Sequence, residues 1–194
     1  MSINYFEDVE IFIDYTLDDV DESWFDENGE VIEGSGLNRQ FFPIDRLSVE
    51  YARKICSVEN SQLVQIAAGE ISFIDIMETE ESVEDDEWWT RSLDLGVRGA
   101  VMAIRAMGGY PVSSCNAGCF VDDPYVHSEK HHPVIGFQGS SDCIRLVEDV
   151  ARKNGCGLYG PIVGCLVLST SDIRNFGKFA LDLLSHGDGV ESTN

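Results

Sequence analysis

Pro133-Val-Ile-Gly-Phe-Gln-Gly-Ser-Ser-Asp-Cys-Ile-Arg-Leu-Val-Glu-Asp-Val-Ala-Arg-Lys-Asn-Gly155 holds in succession a short apolar strand, a helix cap, an amphipathic helix and its stop. The apolar run places a strand within 132–138. Ser140 or Ser141 supplies a hydroxyl for the first free backbone N–H groups of a helix, and Gly155 supplies the left-handed residue that ends it. Ile144, Val147, Val150 and Ala151 recur at helical spacing and define the inward face. Arg145 with Asp149, and Glu148 with Arg152, make i,i+4 pairs on the outer face.

Outward from this stretch the same logic extends in both directions. Upstream, Leu93, Val97, Ala100, Val101 and Ile104 mark a helix from about residue 88 to 107. Asp94 and Arg98 pair on its outside, and Gly108-Gly109 stops it. A short strand follows over 110–114. Downstream, 162–168 is an apolar strand, and 171–185 is a helix with Ile173, Phe176, Ala180, Leu183 and Leu184 inward. Gly155-Cys-Gly157-Leu-Tyr-Gly160 has the glycine spacing of a dinucleotide loop. It lies after a helix instead of before one, so it reads as a helix cap and turn. The order α-β-β-α-β-α predicts an α+β fold: a mixed or antiparallel sheet with helices mainly on one face, over 88–186, with a tail at 187–194.

Residues 1–87 read as a small acidic strand/hairpin region that either extends the sheet or forms a lobe, and the whole chain is also compatible with one domain. A strand is expected over 9–15 and a hairpin at Asn28-Gly29, where both turn residues need positive φ. Asp45 caps a helix over 46–56, Asn60 or Ser61 caps a second short one ending near Gly69, and 71–77 is a further strand.

The formal net charge is −22, and residues 1–90 carry 24 acids against four bases, while 91–194 carry 11 against nine. No Lys or Arg occurs before Arg39. Such a surface repels phosphate backbones, which disfavours direct nucleic-acid binding. It suits either a solvated acidic face or a basic protein partner. The opening residues lack a basic n-region and an uninterrupted apolar stretch, and no run is long enough to span a bilayer, so a soluble cytoplasmic protein without membrane contact is expected. Reduced cysteines follow from that compartment.

Chemistry concentrates in one loop. Three of the four histidines and two of the six cysteines fall within 115–132, between two short strands. This connection is longer than a hairpin needs. Four readings stay open. Cys115 is a nucleophile activated by His127 or His131 and oriented by Glu129 or Asn116, with backbone N–H groups of 116–118 as oxyanion donors. Cys115, Cys119, His127 and His131 hold zinc as Cys-x3-Cys-x7-His-x3-His, with a middle gap shorter than in a zinc finger. Ser114, Gly118, Tyr125, His131 and His132, with Asn116, bind a small molecule or peptide non-covalently. Or the loop has no chemistry, with Cys115 buried and the histidines solvated.

Gly109-Tyr-Pro-Val-Ser-Ser-Cys-Asn-Ala-Gly118 resembles a set of uncharacterised bacterial and phage proteins with a G-[YF]-x-[TV]-x-S-C-x-G segment after an amphipathic helix. Ser113-Ser114-Cys115 also resembles the SSCSGR segment of tRNA-wybutosine proteins. Here Asn116-Ala-Gly-Cys119 stands in place of the Ser-Gly-Arg that follows the Cys there, removing the Arg. The resemblance implies that Ser114, Cys115 and Asn116 line a site and transfers no reaction.

Two classes of function therefore compete: a cysteine/histidine-dependent enzyme, such as a hydrolase, and an acidic inhibitor, antitoxin or immunity-type protein. A structural zinc module is the third alternative.

Overall fold

Two antiparallel hairpins separated by a helix form the centre of the molecule. A computed structural model describes residues 3–6, 9–17, 47–81, 93–120, 132–162 and 164–189. Strand β2 (Tyr110–Cys115) pairs with β3 (Val134–Gln138), and helix α4 (Ser141–Lys153) leads on to β4 (Cys156–Ile162) and β5 (Cys165–Thr170). Antiparallel pairing of β3 with β5 joins the hairpins, and β1 (Ile13–Tyr15) adds in parallel to β4. The sheet is thus mixed, in the order β1-β4-β5-β3-β2. Among the described residues the remaining α-helices are α1 (Val49–Ala68), α2 (Phe73–Glu81), α3 (Arg98–Ala106) and α5 (Arg174–Ser185).

The fold is α+β, and the C-terminal half runs α-β-β-α-β-β-α, one strand more than the sequence order predicts. The extra strand is β4, whose glycines read as a turn. Gly155 is a turn residue, with φ of 68°. Gly157 serves a different end: a Cβ there would lie 2.8 Å from the Phe12 carbonyl oxygen and 2.9 Å from Ser169 Oγ. Its missing side chain lets the segment before β1 press against β4, where Leu158 N–H donates to Phe12 O at 3.0 Å.

Helix α4 matches its sequence. Ser140 Oγ accepts from Cys143 N–H at 3.3 Å, and Cys143, Ile144, Val147, Val150 and Ala151 are buried. The Glu148–Arg152 pair forms at 2.6 Å, whereas Arg145 stands 3.8 Å from Asp142 in place of pairing with Asp149.

The N-terminal half departs further. In place of two helices there is one, α1, capped by Ser48 Oγ accepting from Tyr51 N–H and closed at Gly69 with φ of 72°. Asn60 caps nothing: it lies inside α1, and its Nδ2 donates to Gly177 O on α5 at 3.2 Å. Residues 71–77 enter helix α2, not a strand. Ser72 N–H donates to Asp75 Oδ2 at 2.8 Å and Asp75 N–H to Ser72 Oγ at 3.0 Å, a reciprocal cap that decides the conformation.

Helix α3 is shorter than expected, beginning at Arg98 after Gly96, whose φ is 93°. Residues 98–104 are all buried, so α3 has no outer face over that length and the expected Asp94–Arg98 surface pair does not form. Of the expected 9–15 strand, Ile13–Tyr15 pairs, extending the sheet. The expected final helix begins at Arg174, and Ile173, Phe176, Ala180, Leu183 and Leu184 are buried as read. Asp45 and the Asn28-Gly29 hairpin lie outside the described residues.

One continuous core gathers Leu63 and Ile66 of α1, Phe73 of α2, α3, α4 and α5, and the sheet residues Ile135, Phe137, Leu158, Leu166 and Leu168. The sheet residues pair across the strands in register, Ile135 with Leu168 and Phe137 with Leu166, so they share one face. Among the described residues no helix is long and apolar enough to cross a membrane.

Candidate functional site

Strand β2 ends at Cys115, which faces Val134 across the hairpin. The chain then turns tightly. Asn116 N–H donates to Asp94 Oδ2 at 3.2 Å, its Nδ2 donates to Leu95 O at 3.2 Å, and its Oδ1 accepts from Gly118 N–H at 2.9 Å. Asn116 is 3% exposed, and its side chain ties the end of β2 to the loop that enters α3. Ala117 has φ of 60° and Gly118 of 64°; among the described residues Ala117 is the one non-glycine at positive φ. An L-residue held there costs about 1–2 kcal/mol, so the surrounding contacts must impose it. The result is that Ala117 N–H points at Cys115 Sγ, 3.3 Å away.

Beyond the turn the chain re-enters the core. Cys119 is fully buried and its carbonyl accepts from Asn4 N–H at 2.7 Å; Phe120 stacks on Phe73 with ring centroids 4.8 Å apart. Of the six cysteines, none is disulfide-bonded and five are buried; Cys115 alone is half-exposed. Burial pushes the Cys56 thiol up to about 12, with Glu59 adding to the effect. Burial alone pushes Cys143 to about 11, and it also pushes Cys156 to about 12. Thiols so raised are poor nucleophiles at neutral pH.

Of the residues singled out by sequence, Ser114, Cys115, Asn116, Gly118, Cys119 and His132 are described. Ser114 is half-buried on β2, and His132 is half-buried two residues before Val134, the cross-strand neighbour of Cys115. The hairpin register therefore brings His132 to the same end of the sheet as Cys115. Tyr125, His127, Glu129 and His131 lie outside the described residues. The three backbone N–H groups expected as oxyanion donors are each engaged within the turn: Asn116 with Asp94, Ala117 with Cys115, Gly118 with Asn116. Among the described residues no group of three Cys, His, Asp or Glu side chains is placed to hold a metal; two of the four expected zinc ligands, His127 and His131, fall outside that set.

Two polar clusters escaped the sequence reading. In the first, Glu59 is buried against the start of α3. Its Oε1 accepts from Gly96 N–H at 2.6 Å and Arg98 N–H at 3.1 Å, and its Oε2 from Gly99 N–H at 2.7 Å. Burial pushes its carboxyl up, against the opposing pull of Arg98 and the three N–H donors. Arg98, itself buried, reaches Glu80 at 2.6 Å and donates from Nε to Leu93 O at 2.7 Å. The signal was present: Cys56, Glu59, Leu63 and Ile66 fall on one helical stripe. The second cluster links β1 to α4, where Tyr15 Oη donates to Glu148 Oε2 at 2.5 Å and Arg152 caps Oε1.

No protein-family model matches the chain, and no curated protein or solved structure is similar to it. The reading of the site therefore rests on its own geometry.

Proposed function

We propose that the chain uses Cys115 as a nucleophile on a small-molecule or peptide substrate, in the manner of a cysteine-dependent hydrolase. The observation that carries this reading is selective exposure: Cys115 is the one thiol of six outside the buried class, and a backbone N–H is held toward its sulfur. In the reaction, Cys115 Sγ bonds to an electrophilic carbonyl carbon as the bond to the leaving group breaks. A histidine of the loop, His127 or His131, takes the thiol proton and returns it to the leaving group, and water then hydrolyses the thioester. Glu129 orients that histidine, while Tyr125 and His132 contact substrate. Asn116 acts as a positioning residue, since its amide oxygen holds the turn and its amide nitrogen ties that turn to Leu95.

Alkylation of the native protein with iodoacetamide, followed by peptide mapping, tests the premise. Cys115 is expected to react first and the five buried cysteines only on unfolding. Replacement Cys115→Ala should abolish turnover of an ester or thioester panel while shifting stability by less than about 1 kcal/mol. Native labelling spread over several cysteines, or turnover surviving in Cys115→Ala, would overturn the reading.

A second reading is favoured by the 24 acids against four bases in residues 1–90: an inhibitor-type protein that docks a basic protein partner. Its association rate should fall steeply with added salt. Zinc held by Cys115, Cys119, His127 and His131 is the third; a metal-to-chain ratio near one after purification would support it, and labelling of Cys115 would then require a chelator.

A further inference from the structure

The cleft between β1 and α4 is remote in sequence from the Cys115 loop and serves neither reading above. It is an open groove of about 390 Å³, at the small end of the roughly 300–1,000 Å³ of small-molecule sites. Arg145, Glu148 and Arg152 line one wall from a single face of α4, at i, i+3 and i+7 spacing. Ile13, Tyr15 and Leu17, alternate residues of the β1 segment, line the other and also pack on the core.

The charges in this cleft are not equally engaged. Glu148 is saturated, with Tyr15 on Oε2 and the Nε and Nη2 atoms of Arg152 on Oε1. Arg152 is thereby turned onto its own helix. Arg145 is not: its ion pair with Asp142 spans 3.8 Å, beyond hydrogen-bond length, and the Asp142 side chain is 97% exposed. Among the described residues, the cleft therefore presents the Arg145 guanidinium fork with no carboxylate within hydrogen-bond length of it, facing Ile13 and Leu17. In a chain of net charge −22 with 13 bases, a cationic fork in a mostly polar cleft, with Ile13 and Leu17 beside it, is a specific place for an anion. Asp14, exposed at the lip, disfavours doubly charged ligands.

We propose that this cleft binds a small monoanionic carboxylate, its carboxylate in the fork of Arg145 and its apolar body on Ile13 and Leu17. A planar guanidinium pairs bidentately with carboxylate and phosphate alike, so the preference for the monoanion comes from the Asp14 charge at the lip, which repels a dianion more strongly.

Benzoate and inorganic phosphate, titrated separately into the full chain and followed by amide ¹H–¹⁵N shifts, test this. Saturable benzoate shifts at 13–17 and 145–152 are expected, with phosphate binding at least about fivefold more weakly. Arg145→Gln, on an exposed position that the fold does not need, should weaken benzoate by about tenfold. Benzoate shifts that do not saturate by about 20 mM, equal affinity in Arg145→Gln, or phosphate binding as tightly as benzoate would each overturn the proposal.

Discussion

Glu59 and Glu148 are both helix carboxylates that fasten one element to another, and they do so under opposite conditions. Glu59 lies wholly inside, closing the start of α3 from a neighbouring helix, with three backbone N–H groups as partners. Glu148 lies at the surface, with Tyr15 Oη and the Arg152 fork as partners. Burial dominates the first and pushes its carboxyl up. Hydrogen bonding from Tyr15, then from Arg152, dominates the second and holds its carboxyl below the ordinary range. Similar bond counts thus carry different weights: inside, the loss of one partner strands donors that water cannot reach, whereas outside, water takes the vacated place.

The largest effect is expected at Glu59. Glu59→Ala leaves the N–H groups of Gly96, Arg98 and Gly99 buried without an acceptor and removes the carboxyl group beside Arg98. A loss of about 3 kcal/mol or more in chemical denaturation is expected. Glu59→Gln should recover only part of it, because an amide nitrogen would face one of the donors. A loss near that of a surface site would break the contrast between the two carboxylates.

A middle-sized effect tests packing where no charge is involved. A Cβ on Gly177 would fall 1.7 Å from Asn60 Oδ1, so Gly177→Ala forces α1 and α5 apart or expels the amide. A cost of about 1–3 kcal/mol is expected. Adding Asn60→Ala should return part of it, because the small side chain removes the clash; a purely additive double mutant would mean the contact is not what sets the helix separation.

These sites also mark what could be read from the chain without coordinates. Elements with one exposed face were legible: α4 because its periodicity and its Ser140 cap agree, and α5 from its periodicity. Helix α3 was legible as a helix but not in its surroundings. Arg98 was read as a surface residue because charge normally marks the outside, whereas residues 98–104 are all buried and its partner Glu80 comes from another element. The strand expected over 71–77 failed because Ser72-Phe-Ile-Asp75 carries both an alternating apolar pattern and a reciprocal cap, and the cap won. Strand β4 was missed because Gly157 answers to a backbone approach from Phe12, a contact between residues far apart in sequence. At the candidate site, Cys115 at a strand end was legible from the apolar run before it. Its half-exposure and the left-handed Ala117 behind it were not, since non-glycine residues give no local sign of positive φ.

The smallest effect belongs to Tyr15 and Glu148, and pH resolves it. Tyr15→Phe removes one partly exposed hydrogen bond, and about 0.5 kcal/mol is expected at neutral pH. Glu148 has its folded pKa below the unfolded one, so its contribution is present above the ordinary carboxylate range and is lost as pH falls through the folded value. Tyr15 is raised to about 12, by burial first and then by Glu148, so its contribution is present below the ordinary phenol value and is lost as pH rises through about 12. The tether should therefore hold across the neutral range and fail at both ends. Glu59 has the opposite sign to Glu148: its folded pKa is raised, so its contribution is fully present below the unfolded value and declines as pH rises through the folded one. Denaturant titrations of Glu148→Ala and Glu59→Ala beside the wild type at pH values spanning the carboxylate range separate the two. The cost of Glu148→Ala should grow as pH rises, and the cost of Glu59→Ala should shrink. Costs that change in the same direction would show that the hydrogen bonds at Glu59 outweigh its burial, and that its carboxylate, like that of Glu148, is held in the ionised form by its partners.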